Sequence, residues 1–200
     1  MEFENVNQYI QSDLEKLKLK TESIELEEGE KIAAGLYEFL LKKPTTKCVA
    51  ANQLGINKQV AMINIKEPLS LINPVILEQS IKLTYLEDDV CFPNQLFKTE
   101  RYVNIIVQAD NFEEPIFFGL HDGTMKLTDT SVMESIAIQH MVDSLNGILI
   151  TERTVQNKTY VNAEKIGRNE IVTLINGNEE LKIKYKFIDE YKKLGWTLKK

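Results

Sequence analysis

The stretch 131–147 (SVMESIAIQHMVDSLNG) constrains this chain more than any other. It predicts one helix with both ends written in. Ser131 followed by Glu134 has the form of a capping box, in which each side chain accepts a first-turn backbone N–H that no helical carbonyl reaches. Asn146-Gly147 marks the other end, because glycine adopts the left-handed conformation that stops a helix. Val132, Met133, Ile136, Ala137 and Met141 recur at three- and four-residue steps and predict a stripe facing a core. His140 and Ser144 lie one turn apart on that same side. Two histidines at this spacing can hold one metal, and a glutamate after the first can take a proton from metal-bound water. Here Met141 stands in the glutamate's place and Ser144 in the second histidine's. Read on its own, His140 is a buried, hydrogen-bonded histidine.

The chain's 200 residues suit one domain with a small appendage and can bury a substantial core. A composition 43% hydrophobic and 27% charged is that of a soluble globular protein, and a net charge of −6 gives no support to a nucleic-acid partner. The first residues, Met1-Glu2-Phe3-Glu4, lack the basic and apolar regions of a signal peptide. No apolar run is long enough to cross a bilayer, so no membrane partner is expected. Two cysteines point to a reducing compartment rather than a disulfide framework, hence to the cytoplasm.

Along the chain, 1–20 reads as a short amphipathic helix or docking arm with Ile10, Leu14, Leu17 and Leu19. A packing helix is expected over 28–41, with Ile32, Leu36, Phe39 and Leu40 at helical spacing and Pro44 beyond its end. In 48–65 (CVAANQLGINKQVAMINI), Ala50 and Ala51 allow close backbone approach, Gln53 offers an amide, and Val60, Met62 and Ile63 start a strand. Asn73-Pro74 begins another strand, and 101–120 alternates as a hairpin around Asn111 and Pro115. His121-Asp122-Gly123 reads as a turn with a solvated histidine. Ile148 to Ile150 continue as a strand after the central helix. From Glu170 onward a hairpin turns at Asn176-Gly177, with Leu181, Ile183, Tyr185 and Phe187 on one face and Lys182, Lys184 and Lys186 on the other. A helix over 189–194 stops at Gly195 and leaves Trp196 to pack. The expected division is 1–155 as the main domain and 156–200 as an appendage.

Three segments, in this order, resemble the motifs of the peptide deformylases. QHMVDSLNGILI resembles the family's Q-H-E-x-D-H-L-N-G with its following apolar run, matching at Gln139, His140, Asp143, Leu145, Asn146 and Gly147. The AANQ stretch resembles G-x-G-x-A-A-x-Q, matching at Ala50, Ala51 and Gln53, with Thr46 and Cys48 in the two glycine places. LEDDVCFPNQ falls where the family has E-G-C-L-S: Cys91 matches, and Asp89, Val90 and Pro93 replace the glutamate, glycine and serine. The resemblance covers about residues 15–155.

It implies an α+β fold in which small antiparallel sheets pack around a central motif-bearing helix. It also implies removal of the formyl group from the N-terminal methionine of new polypeptides. The family's centre is a cysteine and two histidines around Fe²⁺ or Zn²⁺, with water in the fourth position. Carried onto this chain, the ligands are Cys91, His140 and, at the place of the lost histidine, Ser144. The oxyanion donors are Gln53 and the backbone N–H of Phe92, and Met141 sits where the general base was.

Serine is a poor ligand at neutral pH, and general acid–base catalysis typically contributes about 10²–10⁴-fold. The expectation is a deformylase fold that is not an efficient deformylase and holds no metal at full occupancy. Its cleft, lined by Ala50 and Ala51, would bind a peptide N-terminus or a protein partner. The alternative is an active deformylase with a rebuilt iron or zinc site, for which Cys48, Cys91 and His140 are the available trio. A third reading is an interaction protein whose cleft is plugged by Met141 and Phe92.

Overall fold

The computed structural model describes residues 6–120 and 129–155 and, towards the C-terminus, 169, 171–176, 179–188, 191 and 196–199. The expected His121 turn, Gly177 and most of the 189–194 helix with Gly195 lie outside these residues. Two compact units emerge, Met1–Val155 and Gln156–Lys200. Among the described residues, no helix is long and apolar enough to cross a membrane.

The first unit opens with a tight turn at Val6–Tyr9 and a one-turn helix α1 (Leu14–Leu17), capped by the Asp13 carboxylate on the Glu15 N–H. Within the described part of 1–20, where an amphipathic helix or docking arm was expected, the helical pieces are two short turns, with Leu17 buried and Leu14 and Leu19 exposed. Helix α2 (Leu26–Lys42) follows, its end set by Pro44 two residues on. Strands β1 (Cys48–Ala50), β2 (Val60–Asn64) and β3 (Pro68–Ile72) form an antiparallel meander. Strands β4 (Val75–Glu87), β5 (Phe97–Gln108) and β6 (Ile116–Phe118) form a second. The expected hairpin is present as β5–β6, but β5 pairs along most of its length with β4, from Val75↔Gln108 to Glu87↔Phe97.

Helix α3 (Thr130–Leu145) lies between the two sheets. Ala137, Ile138, Met141, Val142 and Leu145 pack on Ala50, Ala61, Ile63 and Leu71 from one sheet and on Ile105, Val107 and Phe118 from the other. Helix α2 covers the opposite face of the first sheet, where Leu36, Phe39 and Leu40 meet Val49, Val60, Met62 and Ile72. A sheet with helices on both faces explains why Val60, Ala61, Met62 and Ile63 are all buried without alternation.

This placement corrects the reading of the central helix in three respects. Its N-cap is Asp129, whose carboxylate accepts the Ser131 N–H at 2.8 Å. Glu134 pairs instead with Lys66 at 3.0 Å, so no Ser131–Glu134 box forms. The helix is buried on nearly every side rather than along one stripe, as a helix between two sheets must be. Finally, Ile148 to Ile150 do not continue as a strand: the chain turns through Ile150–Arg153 under α3.

Gly147 ends the helix as expected, at φ +76°. A methyl group there would stand 2.2 Å from the Lys18 carbonyl. The arm after α1 therefore lies directly on the helix terminus, where the Thr21 N–H and hydroxyl both donate to the Leu145 carbonyl at 2.9 and 2.8 Å.

In the second unit, β7 (Ile171–Asn176) pairs with β8 (Glu179–Lys184) in the register expected of a two-residue turn, Asn176↔Glu179. The alternation expected through Phe187 stops at Lys184, because Tyr185–Phe187 form a helical turn. A short strand β9 (Thr197–Leu198) covers the other edge of β7, and Trp196 packs edge-on against Tyr191 at 6.5 Å.

Candidate functional site: a histidine between two carboxylates

The motif residues converge where α3, the end of β4 and the turn after β1 meet. At the end of β4 the side chains still alternate: Glu87 and Asp89 point inward and Asp88 outward. His140 receives both inward carboxylates. Its Nε2 lies 2.8 Å from Asp89 Oδ2 and its Nδ1 3.4 Å from Glu87 Oε2. Burial opposes charge on this ring, but the hydrogen bond and charge of Asp89, with the charge of Glu87, outweigh it and hold the imidazole pKa above its ordinary value. Burial likewise opposes charge on Asp89, yet His140 and the Cys91 N–H hold its carboxyl below the usual range.

The pair belongs to a larger network. Arg101, on β5 and 2% exposed, meets Glu87 through Nε at 2.6 Å and Asp143 through Nη1 at 2.5 Å. Arg153 reaches the same Asp143 at 2.6 and 2.9 Å, and the Thr99 hydroxyl donates to Glu87. Three carboxylates (Glu87, Asp89, Asp143) thus face the guanidinium groups of Arg101 and Arg153 and the His140 ring. Among the described residues, every buried side-chain nitrogen and oxygen has a partner. Such a closed network is the arrangement in which buried charge is tolerated.

The expected catalytic groups are all within reach of this centre and all engaged. The Gln53 side-chain N–H donates to Asp89 Oδ2 at 3.1 Å, and its oxygen accepts the Ala50 N–H at 2.9 Å. The Phe92 N–H donates to the Asp89 carbonyl at 3.0 Å, closing a turn instead of facing a cleft. Its ring packs edge-on against Phe97, 5.6 Å between centroids. Met141 is buried in the core between the sheets. The Ser144 hydroxyl donates to Asn52 Oδ1 at 3.1 Å, while the Asn52 amide donates to the Ser144 carbonyl at 2.8 Å. Ala50 and Ala51 are fully buried in the two cores, so neither lines an open cleft as expected.

Both cysteines are free. Cys48 sits in β1 opposite Ile63, and neither it nor Thr46 has a positive φ. Burial, followed by the charges of Glu87, Asp89 and Asp88, pushes the Cys48 thiol far up. Burial, followed by the charge and hydrogen bond of Asp89, does the same to Cys91.

The partners of these side chains bear on whether the donors suit a metal. A metal takes thiolate and neutral imidazole. Here His140 Nε2 is turned onto Asp89 and the Ser144 hydroxyl is spent on Asn52. Among the described residues, no group of three or more His, Cys, Asp or Glu side chains is arranged to hold a metal ion, which leaves the Cys48, Cys91 and His140 trio unformed. The residues present do not fit the iron or zinc implied by the motifs.

Sequence reasoning missed Glu87 and the arginines as members of the centre. The signal was available: a strand ending in Leu86-Glu87-Asp88-Asp89 must put two of its three acids on one side.

The chain belongs to the polypeptide deformylase family, whose profile matches residues 4–160. Peptide deformylase 1 of Bacillus anthracis is 32% identical over 111 residues, which cover 54% of this chain and 65% of that relative, slightly under two thirds of its length. The peptide deformylase-like protein of Staphylococcus epidermidis is 32% identical over 122 residues, covering 58% of this chain and 68% of its own. The class I type b peptide deformylase from Acinetobacter baumannii superposes with a TM-score of 0.57 at 25% identity, over 70% of this chain and 93% of that one. The α+β arrangement of small antiparallel sheets around the motif helix is therefore the deformylase fold.

Proposed function

We propose that this chain is a deformylase-family protein that does not deformylate and acts instead by binding, in the cytoplasm, a polypeptide end or a partner protein. The observation that carries the reading is His140 Nε2 turned onto Asp89 at 2.8 Å, with Glu87 3.4 Å from the other ring nitrogen. A ligand or base at that position needs a free nitrogen lone pair, and an Nε2–H spent on Asp89 offers none. Met141 has no proton-accepting group and is packed in the core, so the reading does not depend on the metal alone. The binding half draws support from Leu86 and Leu96, apolar side chains that flank the segment bearing Asp89, Cys91 and Phe92 and are 57% and 67% exposed.

The experiment is a metal count on protein purified without chelator or affinity metal, paired with formate release from a formyl-Met-Ala peptide. Well under one metal per chain with no formate is the expected result. Near one metal per chain with turnover would overturn the reading in favour of an active, rebuilt site.

A further inference from the structure

Asp89 fills a place that would suit any small carboxylate. Three donors converge on it. Oδ2 accepts the Gln53 amide at 3.1 Å and lies 2.8 Å from His140 Nε2, while Oδ1 accepts the Cys91 backbone N–H at 2.7 Å. The donors are held by groups other than the Asp89 carboxylate. Gln53 is anchored through its oxygen to the Ala50 N–H, and His140 is fixed on buried α3 with Glu87 behind its other nitrogen. The turn presenting the Cys91 N–H is closed by the Phe92 N–H on the Asp89 carbonyl, a bond that needs no side chain at position 89. The donors thus belong to the packed frame, and the acceptor hangs from the connection between β4 and β5.

Resting on the metal-free centre proposed above, we propose that these donors form a carboxylate pocket in which Asp89 is a tethered occupant. The pocket accepts a free monocarboxylate once the tethered one is removed. The side chain of Asp89 beyond its Cα is –CH₂–COO⁻, which makes acetate the matching probe. In the intact chain the tethered group outcompetes it through its effective concentration. Backbone amide, side-chain amide and the His140 ring N–H together supply charge-assisted hydrogen bonds to a carboxylate, of the kind that select it over chloride.

The test uses the full chain carrying Asp89→Gly, treated with chelator and melted at about pH 6, where acetate is ionised and an ordinary imidazole is mostly charged. A four-atom ligand with these contacts is expected to bind at millimolar strength. At about 100 mM acetate, against equal ionic strength of chloride, the variant's midpoint should rise by about 3–7 °C and that of the intact protein by less than about 1 °C. The His140 ring resonances of the variant should return towards their wild-type positions on the same titration. Adding Gln53→Leu to the variant should remove most of the response.

Equal responses in variant and intact protein, or no acetate-specific response in the variant, would overturn the pocket. If Asp89→Gly is unfolded in chloride, folding in acetate supports it, and remaining unfolded in acetate counts against it. A wild-type metal count near one per chain would defeat the function proposed above. The acetate response of the chelator-treated variant would still decide the pocket.

Discussion

Arg101→Ala is the sharpest test of the ion network. The guanidinium is 2% exposed and touches two carboxylates, Glu87 at 2.6 and 3.4 Å and Asp143 at 2.5 Å. Removing it leaves Glu87 with the Thr99 hydroxyl and a 3.4 Å approach to His140, while Asp143 keeps Arg153 at 2.6 Å. Breaking a buried pair by deleting one partner typically costs about 3–5 kcal/mol, because a charge is left without water or counter-ion. Since Asp143 retains a second cation, the lower part of that range applies, about 3–4 kcal/mol. At roughly 2–4 °C per kcal/mol for a domain of this size, the melting midpoint should fall by about 6–16 °C. Arg153→Ala is the internal control: its side chain is 44% exposed, so solvent screening limits the loss to about 0.5–1 kcal/mol. Urea denaturation followed by far-ultraviolet circular dichroism measures both. Equal losses in the two variants, or a loss below about 1 kcal/mol for Arg101→Ala, would refute the reasoning.

The raised pKa of His140 and the lowered one of Asp89 set a pH window. The histidine's contribution is complete below about pH 6.5, its unfolded value, and is lost as pH rises through the folded value; the aspartate's is complete above about pH 3.9 and is lost as pH falls through its folded value. Urea midpoints of wild type minus His140→Gln should therefore be largest between about pH 4 and 6.5, and a difference that grows above that window contradicts the pairing. Met141→Glu places a carboxylate among Ala50, Ile138 and Leu145 and should cost about 3 kcal/mol or more with no gain in formate release; gained activity without lost stability would show an open site. Gly147→Ala forces a Cβ to within 2.2 Å of the Lys18 carbonyl at φ +76° and should cost about 2 kcal/mol or more, which a denaturation midpoint unchanged from wild type would contradict.

Much of the fold was legible because its determinants are local or ordered along the chain. The helical spacing from Ile32 to Leu40, the Gly147 stop and the hairpin register that pairs Asn176 with Glu179 each depend on a few neighbouring residues. The order of three motifs then carried the fold. What escaped notice depends on partners distant in sequence. Ser131 and Glu134 satisfy the letters of a capping box, but Asp129 is nearer the free N–H groups and Lys66 draws Glu134 away. The stripe on the central helix was legible, but not that a second sheet would bury its other sides. At the site, Cys91, His140 and Ser144 were found as positions, yet their partners were not. That Asp89 reaches His140 while Asp88 faces solvent follows from where β4 ends, a matter of its pairing with β5. That Gln53 and the Phe92 N–H are engaged follows from Asp89 in turn.

The measurement that bears most directly on the closed centre is the protonation state of the His140 ring, read from its ¹⁵N–¹H correlations near neutral pH and assigned with His140→Gln. Both nitrogens should carry protons, and one equivalent of Zn²⁺ or Fe²⁺ should leave the signals in place. An unprotonated nitrogen that shifts or broadens with one equivalent of metal would contradict the account and return His140 to the role of ligand.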